Sequence, residues 1–250
     1  LANLLRPDTT LISIMAVNNE IGSIQPIEAI SELLADKPTI SFHVDAVQAL
    51  AKIPTESFLT DRVDFATFSS HKFHGVRGVG FVYIKSGKKI TSLLTGGGQE
   101  RDYRSTTENV AGIAATAKAL RLSMEKLDIF TSKTGQMKAV IRQALLDYPD
   151  IFVFSDEKDF APHILTFGIK GVRGEVIVHA FEDYDIFIST TSACSSKAGK
   201  PAGTLIAMGV DKDKAQSAVR LSLDLENDMS QVEQFLTKLK LIYNQTRKVR

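Results

Sequence analysis

The chain has 250 residues, 44% of them hydrophobic, enough to bury the core of one large domain or of one and a half. Its 30 Lys and Arg against 29 Asp and Glu leave a net charge of +1, which removes the electrostatic case for nucleic acid, a membrane surface or strongly acidic partners. A single cysteine, Cys194, excludes an intramolecular disulfide framework and a multi-cysteine zinc site; with no signal peptide or bilayer-length apolar run, the chain reads as cytoplasmic and without a metal.

The chain starts at Leu1 rather than methionine and is in an apolar strand by Thr10–Val17, which reads as an entry partway through a fold. Pro26–Ala35 predicts a short helix with proline near its start. Thr39–Val44 predicts a second strand with a helical turn from Asp45, and Val63–Phe68 a third. Val79–Lys85, rich in β-branched and aromatic residues, predicts a fourth. Strands separated by helical segments imply parallel pairing and a doubly wound α/β sheet. Gly96-Gly97-Gly98 breaks the pattern with a turn. Two long helices follow over Asn109–Lys126 and Asp128–Asp147. Then come a strand Ile164–Ile169, a helix Glu175–Glu182, a strand Ile186–Thr190 and a helix Thr204–Met208. A strand Val219–Leu225 and an amphipathic helix Met229–Arg247 close the chain. A boundary near Asp128 gives a larger domain over 1–127 and a smaller α+β domain over 128–250.

Several groups can carry chemistry. Lys72, in Ser69-Ser70-His71-Lys72-Phe73-His74-Gly75, falls just past the third strand, at the carboxyl end where open α/β sheets place ligands. An amine there can hold an aldehyde cofactor once burial or nearby cations lower its pKa; the other reading is a surface lysine at a strand end. In His43-Val44-Asp45-Ala46-Val47-Gln48, Asp45 can pair with a protonated pyridine nitrogen and Gln48, one turn on, can donate to a ring oxygen. Asp45 equally suits a cap on the turn, and the two roles are compatible. Asn18-Asn19-Glu20-Ile21-Gly22 suits either a small polar ligand or a plain turn. Arg220, inside an apolar strand, needs a partner: a substrate carboxylate or an internal acid. Cys194 sits among small polar residues with Lys197 and Lys200 close by, a setting that favours a reactive thiolate over a buried structural thiol. The glycines of Gly75–Gly80 do not match the dinucleotide fingerprint, and Gly96–Arg101 lacks the ending of a phosphate loop.

Taken in order along the chain, Val17–Gly22, His43–Ala46, Ser69–Lys72, Gly96–Arg101, Arg104–Asn109, Ser192–Ser196 and Val219–Ser222 resemble the class V aminotransferase family of fold-type I pyridoxal-phosphate enzymes, and within it the cysteine desulfurases. The resemblance implies a partial large domain with a mostly parallel sheet plus a C-terminal small domain. It implies that Lys72 is the Schiff-base lysine, that Asp45 partners the pyridine nitrogen and that Gln48 contacts the ring hydroxyl. Ser69 and His71 become phosphate ligands, with Thr107 reaching the phosphate of the neighbouring subunit of a homodimer. Asn18 and Arg220 then hold the carboxylate of L-cysteine. Cys194, on a long loop, takes the sulfur as a persulfide, leaves alanine, and passes sulfur to iron–sulfur scaffolds or tRNA-thiolation enzymes. Family members usually carry Ala or Gly where Ser70 stands, proline where Val76 stands and glycine where Thr106 stands. Judged against family length, the resemblance implies that about a third of the usual chain lies N-terminal to Leu1, where a ring-stacking histidine and a phosphate-binding turn are expected. The alternatives are a selenocysteine lyase or another class V activity, and an inactive fragment that keeps only the fold and a partner surface.

Overall fold

A computed structural model describes residues 1–191 and 203–248, and the chain divides into two compact units. Leu1–Ala16 and Gln25–Leu127 form the first; Val17–Ile24 and Asp128–Arg250 form the second.

The first unit is built on four strands, β1 (Leu11–Met15), β2 (Ser41–Asp45), β3 (Phe65–Ser69) and β4 (Gly80–Ile84), in that spatial order. The first three are parallel, as the alternation of strands and connections implied. β4 departs from that expectation and runs antiparallel to β3. The link between them holds only a one-turn 3₁₀ helix, Ser70–Phe73, and a tight loop, too little for the crossover that a parallel partner needs. Side chains alternate along β2 and β3: Phe42, Val44, Ala66 and Phe68 are buried, while His43, Asp45, Thr67 and Ser69 share the opposite, half-buried face. Helix α1 (Ile27–Leu33) opens after Pro26, which stands at its N-cap, where the missing N–H costs no helical hydrogen bond. Helix α2 (Val110–Met124) is capped by the Asn109 side chain, which accepts from Gly112 N–H at 3.0 Å.

One ionic hub holds the buried end of this sheet. Asp64, 3% exposed, accepts from Phe42 N–H at 2.9 Å and from Arg62 at 2.9 Å, with Lys88 at 3.2 Å. Burial alone would raise its pKa, but these three donors outweigh it and hold the carboxyl below its ordinary value. Arg62 also donates to the carbonyls of Leu34, Lys37 and Ile40, joining the end of α1 to the approach to β2.

The second unit pairs helix α3 (Leu127–Leu146) and helix α7 (Met229–Lys248) with an antiparallel sheet of β5 (Ile151–Val153), β6 (Ile164–Ile169), β7 (Ser189–Thr190) and β8 (Ala218–Ser222), ordered β5-β6-β8-β7. Between the strands lie α4 (Gly174–Glu182), α5 (Gly203–Ala207) and α6 (Lys212–Gln216). β5 and α6 were not foreseen, since three and five residues are too few to show a period. β8 stops at Ser222, short of the predicted Leu225. Every residue of β6 is buried, and Phe167, Val219 and Leu221 join Met137, Ile141, Phe181, Phe235 and Leu239 in one core. The Phe181 and Phe235 rings stack at 4.9 Å.

Residues 17–24 lie between β1 and α1 in sequence yet belong to this second unit. Val17 bridges to Ile24 and Ser23 to Phe160, and Ala161 N–H donates to Gly22 O at 2.7 Å.

Candidate active site

In the first unit the parallel register aligns Met15 with Asp45 and Asp45 with Thr67, so three strands finish together and their outgoing loops leave one edge. Asp45 is half-buried there, and its Oδ1 accepts from Val47 N–H at 3.0 Å, the capping role foreseen for it. The turn it opens closes through Ala49 and Leu50 N–H to Ala46 O, with Gln48 half-buried on it. One residue pair back on the same face, His43 bridges two strands: its Nδ1 lies 2.7 Å from Ser13 Oγ and its Nε2 3.1 Å from Thr67 Oγ1. Burial lowers the His43 pKa, with the Asp45 carboxylate opposing, so the imidazole is mainly neutral at pH 7.

Lys72 sits on the 3₁₀ turn that leaves β3, half-buried between the buried Ser70 and Phe73, with Ser69 half-buried and His71 exposed. His74, at φ 65°, ends the turn in the left-handed region. The chain then doubles back so closely that a Cβ on Gly75 would stand 1.9 Å from Ser70 Oγ, which only glycine avoids. Ser70, one of the three departures from the pattern the sequence resembles, has a place in this arrangement. Its hydroxyl lies 2.9 Å from Thr116 Oγ1 on α2, and Ser123 Oγ, on the same helix, donates to Phe73 O at 3.1 Å. Both ends of the lysine turn are thereby tied to one helix. Thr107 is exposed on the stretch leading to α2, two residues before the Asn109 cap, away from the strand ends in sequence and carried by a different element.

The second unit brings the predicted Asn18 and Arg220 to one turn. Asn18, 7% exposed, accepts from Glu20 N–H at 2.9 Å and Ile21 N–H at 3.0 Å through Oδ1. That fixes the amide orientation, and Nδ2 donates to Thr204 Oγ1 on α5 at 3.3 Å. Arg220, half-buried on β8, donates to Asn19 O at 2.7 Å, a main-chain acceptor where the sequence suggested an acid or a ligand. Gly22 takes φ +82°, and a Cβ there would come 2.8 Å from Ile164 Cβ. Thr204, whose N–H donates to Glu20 Oε2 at 3.2 Å, and Thr166 were passed over in the sequence. For Thr166 no local signal was available, since threonine, unlike arginine, is an ordinary strand residue. Cys194 lies outside the described residues. Among the described residues no group of three or more His, Cys, Asp or Glu is placed to hold a metal ion, and no helix is long and apolar enough to cross a membrane.

Comparisons with known proteins bear on the whole chain. The family model for aminotransferase class-V matches residues 1–235. A protein of Lactobacillus delbrueckii subsp. bulgaricus described as a NifS/IcsS protein homolog is 51% identical over 246 residues, 98% of this chain and 64% of its own length. A cysteine desulfurase IscS of Clostridium botulinum is 37% identical over 252 residues, 99% of this chain and 62% of its own length. Among solved structures, a NifS-like protein superposes with a TM-score of 0.87 at 36% identity, covering 97% of this chain and 63% of that one. The chain thus spans less than two thirds of the length of the curated relatives it matches. The family match extends across both units, and the solved relative shares their fold over nearly every residue: the chain belongs to the class-V aminotransferase family of fold-type I pyridoxal-phosphate enzymes.

Proposed function

We propose that the full-length protein is a cytoplasmic, homodimeric cysteine desulfurase that uses pyridoxal phosphate to take sulfur from L-cysteine, leaving L-alanine. The observation that carries this reading is the shared edge of the first unit. Asp45 at the end of β2 and the Lys72 turn leaving β3 stand on adjacent parallel strands that finish together. The donor set there fits the cofactor: an amine for its aldehyde, a carboxylate for its ring nitrogen, an amide in Gln48 for its ring hydroxyl, and Ser69 and His71 for its phosphate. Thr107 serves the phosphate of the neighbouring subunit. When bound, the cofactor supplies an electron sink that makes the substrate's C–S bond labile.

The chain's own groups do the rest. Asp45 keeps a proton on the ring nitrogen by pairing with it, and Lys72 anchors the aldehyde and is placed to move a proton at the substrate's Cα. Asn18 Nδ2 and the Arg220 guanidinium hold the substrate carboxylate. The Cys194 thiolate would attack the substrate sulfur, an S–S bond forming as the Cβ–S bond breaks, with the electron pair of that bond staying on the carbon fragment, which is protonated and leaves as L-alanine. The resulting persulfide is then passed to iron–sulfur scaffold or tRNA-thiolation proteins. The relative described as a cysteine desulfurase supports the reaction, as do the two lysines close to Cys194 in sequence.

The test is made on full-length protein loaded with pyridoxal phosphate, following alanine and sulfide from L-cysteine under reductant. Lys72→Ala is expected to lose both the yellow absorbance of bound cofactor and turnover. Cys194→Ala is expected to keep the absorbance and lose sulfide release. Sulfide release that survives Cys194→Ala overturns the nucleophile assignment.

A further inference from the structure

Four consecutive main-chain carbonyls of the turn that carries Asn18 are each taken by a donor from elsewhere in the second unit. Arg220 Nη1 donates to Asn19 O at 2.7 Å, Thr166 Oγ1 to Glu20 O at 2.6 Å, Ser155 Oγ to Ile21 O at 2.5 Å and Ala161 N–H to Gly22 O at 2.7 Å. Asn18 Oδ1 already closes the turn from within, so a simple chain reversal has no need of these outer donors. What they fix is where the turn stands.

The donors are arranged for that purpose. Thr166 and Arg220 are direct register partners on antiparallel β6 and β8, so their side chains leave one face of the sheet and reach neighbouring carbonyls. The Ser155 hydroxyl also accepts from Thr166 N–H at 2.9 Å, which leaves its proton directed at Ile21 O. Ser155 is 1% and Thr166 0% exposed, so water does not replace either hydroxyl if it is removed. Valine fills a threonine's site in a buried strand equally well, so the hydroxyl at Thr166 is not explained by packing.

We propose that Thr166 and Ser155 are positioning residues for recognition of the substrate carboxylate. Through the Glu20 and Ile21 carbonyls they hold the turn so that Asn18 Nδ2 and the Arg220 guanidinium meet the same carboxylate. This rests on the assignment of Asn18 and Arg220 under the desulfurase reading.

Thr166→Val and Thr166→Ser, made in the full-length enzyme with pyridoxal phosphate, test it. Thr166→Val is expected to raise KM for L-cysteine about tenfold with a smaller effect on kcat, the loss expected for one buried hydrogen bond acting on binding. Thr166→Ser, which keeps the hydroxyl, is expected to restore KM. Calorimetric titration with L-alanine is expected to weaken in parallel. Hydrogen exchange at the Glu20 and Ile21 amides, read without cofactor, is expected to quicken in Thr166→Val and not in Thr166→Ser. Ser155→Ala gives the same pattern and serves if Thr166→Val does not fold. Unchanged KM and alanine affinity alongside faster exchange overturn the proposal, and so does a fall in kcat alone. A wild-type enzyme inert toward L-cysteine instead overturns the desulfurase reading, and the alanine titration then decides the positioning proposal by itself.

Discussion

At the scale of single residues, the candidate site divides by how far each side chain's partners lie along the chain. Lys72 and Asp45 stood out only in combination with the other motifs, since a lysine at a strand end also suits the surface and an acid there also suits a cap; β2 and β3 put both at one edge. The glycine after the lysine turn was less obvious, since its need comes from Ser70 folding back upon it. Gly75→Ala brings a Cβ to 1.9 Å from Ser70 Oγ and is expected to cost about 1–3 kcal/mol, read as a lower denaturation midpoint. Lower pyridoxal-phosphate occupancy is expected with it, because the same turn carries Lys72. A variant as stable as the parent would show that the turn relaxes without loss. Thr166 was illegible for a different reason: threonine is an ordinary strand residue, and nothing local separates a packed one from one that holds a distant carbonyl.

At the scale of elements, period and capping located nearly all the long pieces. Pro26 near the start of α1 did so from the sequence, and the structure adds the Asn109 cap on α2 and the alternating burial of β2 and β3, all contacts within a few residues. Strand direction was less secure. The antiparallel β4 follows from a link too short to cross over, a limit of length that composition does not display. The Asp64 hub joins several elements at once, since Arg62 carries it to α1 and to the approach to β2 while Phe42 N–H binds it to β2 itself. Asp64→Ala strands the Arg62 charge and is expected to destabilise the first unit by about 3–5 kcal/mol, measured by urea unfolding. The pH dependence has a definite sign. Asp64 titrates below its unfolded value of 3.8, so its contribution is complete above that pH and is lost as pH falls through the lower folded value. Asp64→Asn is expected to flatten the acid limb of the stability curve.

At the scale of the whole molecule, each unit has its own core and its own buried charge. In the second unit Lys138, 5% exposed, donates to Ala161 O at 2.9 Å and lies 5.6 Å from the Phe160 ring. Burial, reinforced by Arg142 and opposed by Asp156, lowers its pKa from 10.5 to about 8. Between those values the unfolded chain binds the extra proton, so stability from this group rises with pH from about 8 to about 10.5. Thermal unfolding of Lys138→Met is expected to lack the part of that slope that the parent shows; identical slopes would place the proton elsewhere. By itself the sequence determined the family, the α/β character, the long helices and a string of polar motifs, because each is written in residues that are neighbours or a turn apart. The tertiary structure alone decided that residues 17–24 belong with the second unit. It also decided which side chains hold them, the hydroxyls of Ser155 and Thr166 and the guanidinium of Arg220, through bonds spanning 134, 146 and 201 residues. A periodicity reaches only a few residues along the chain, whereas these partners are chosen by how strands β6 and β8 pair and which face their side chains leave.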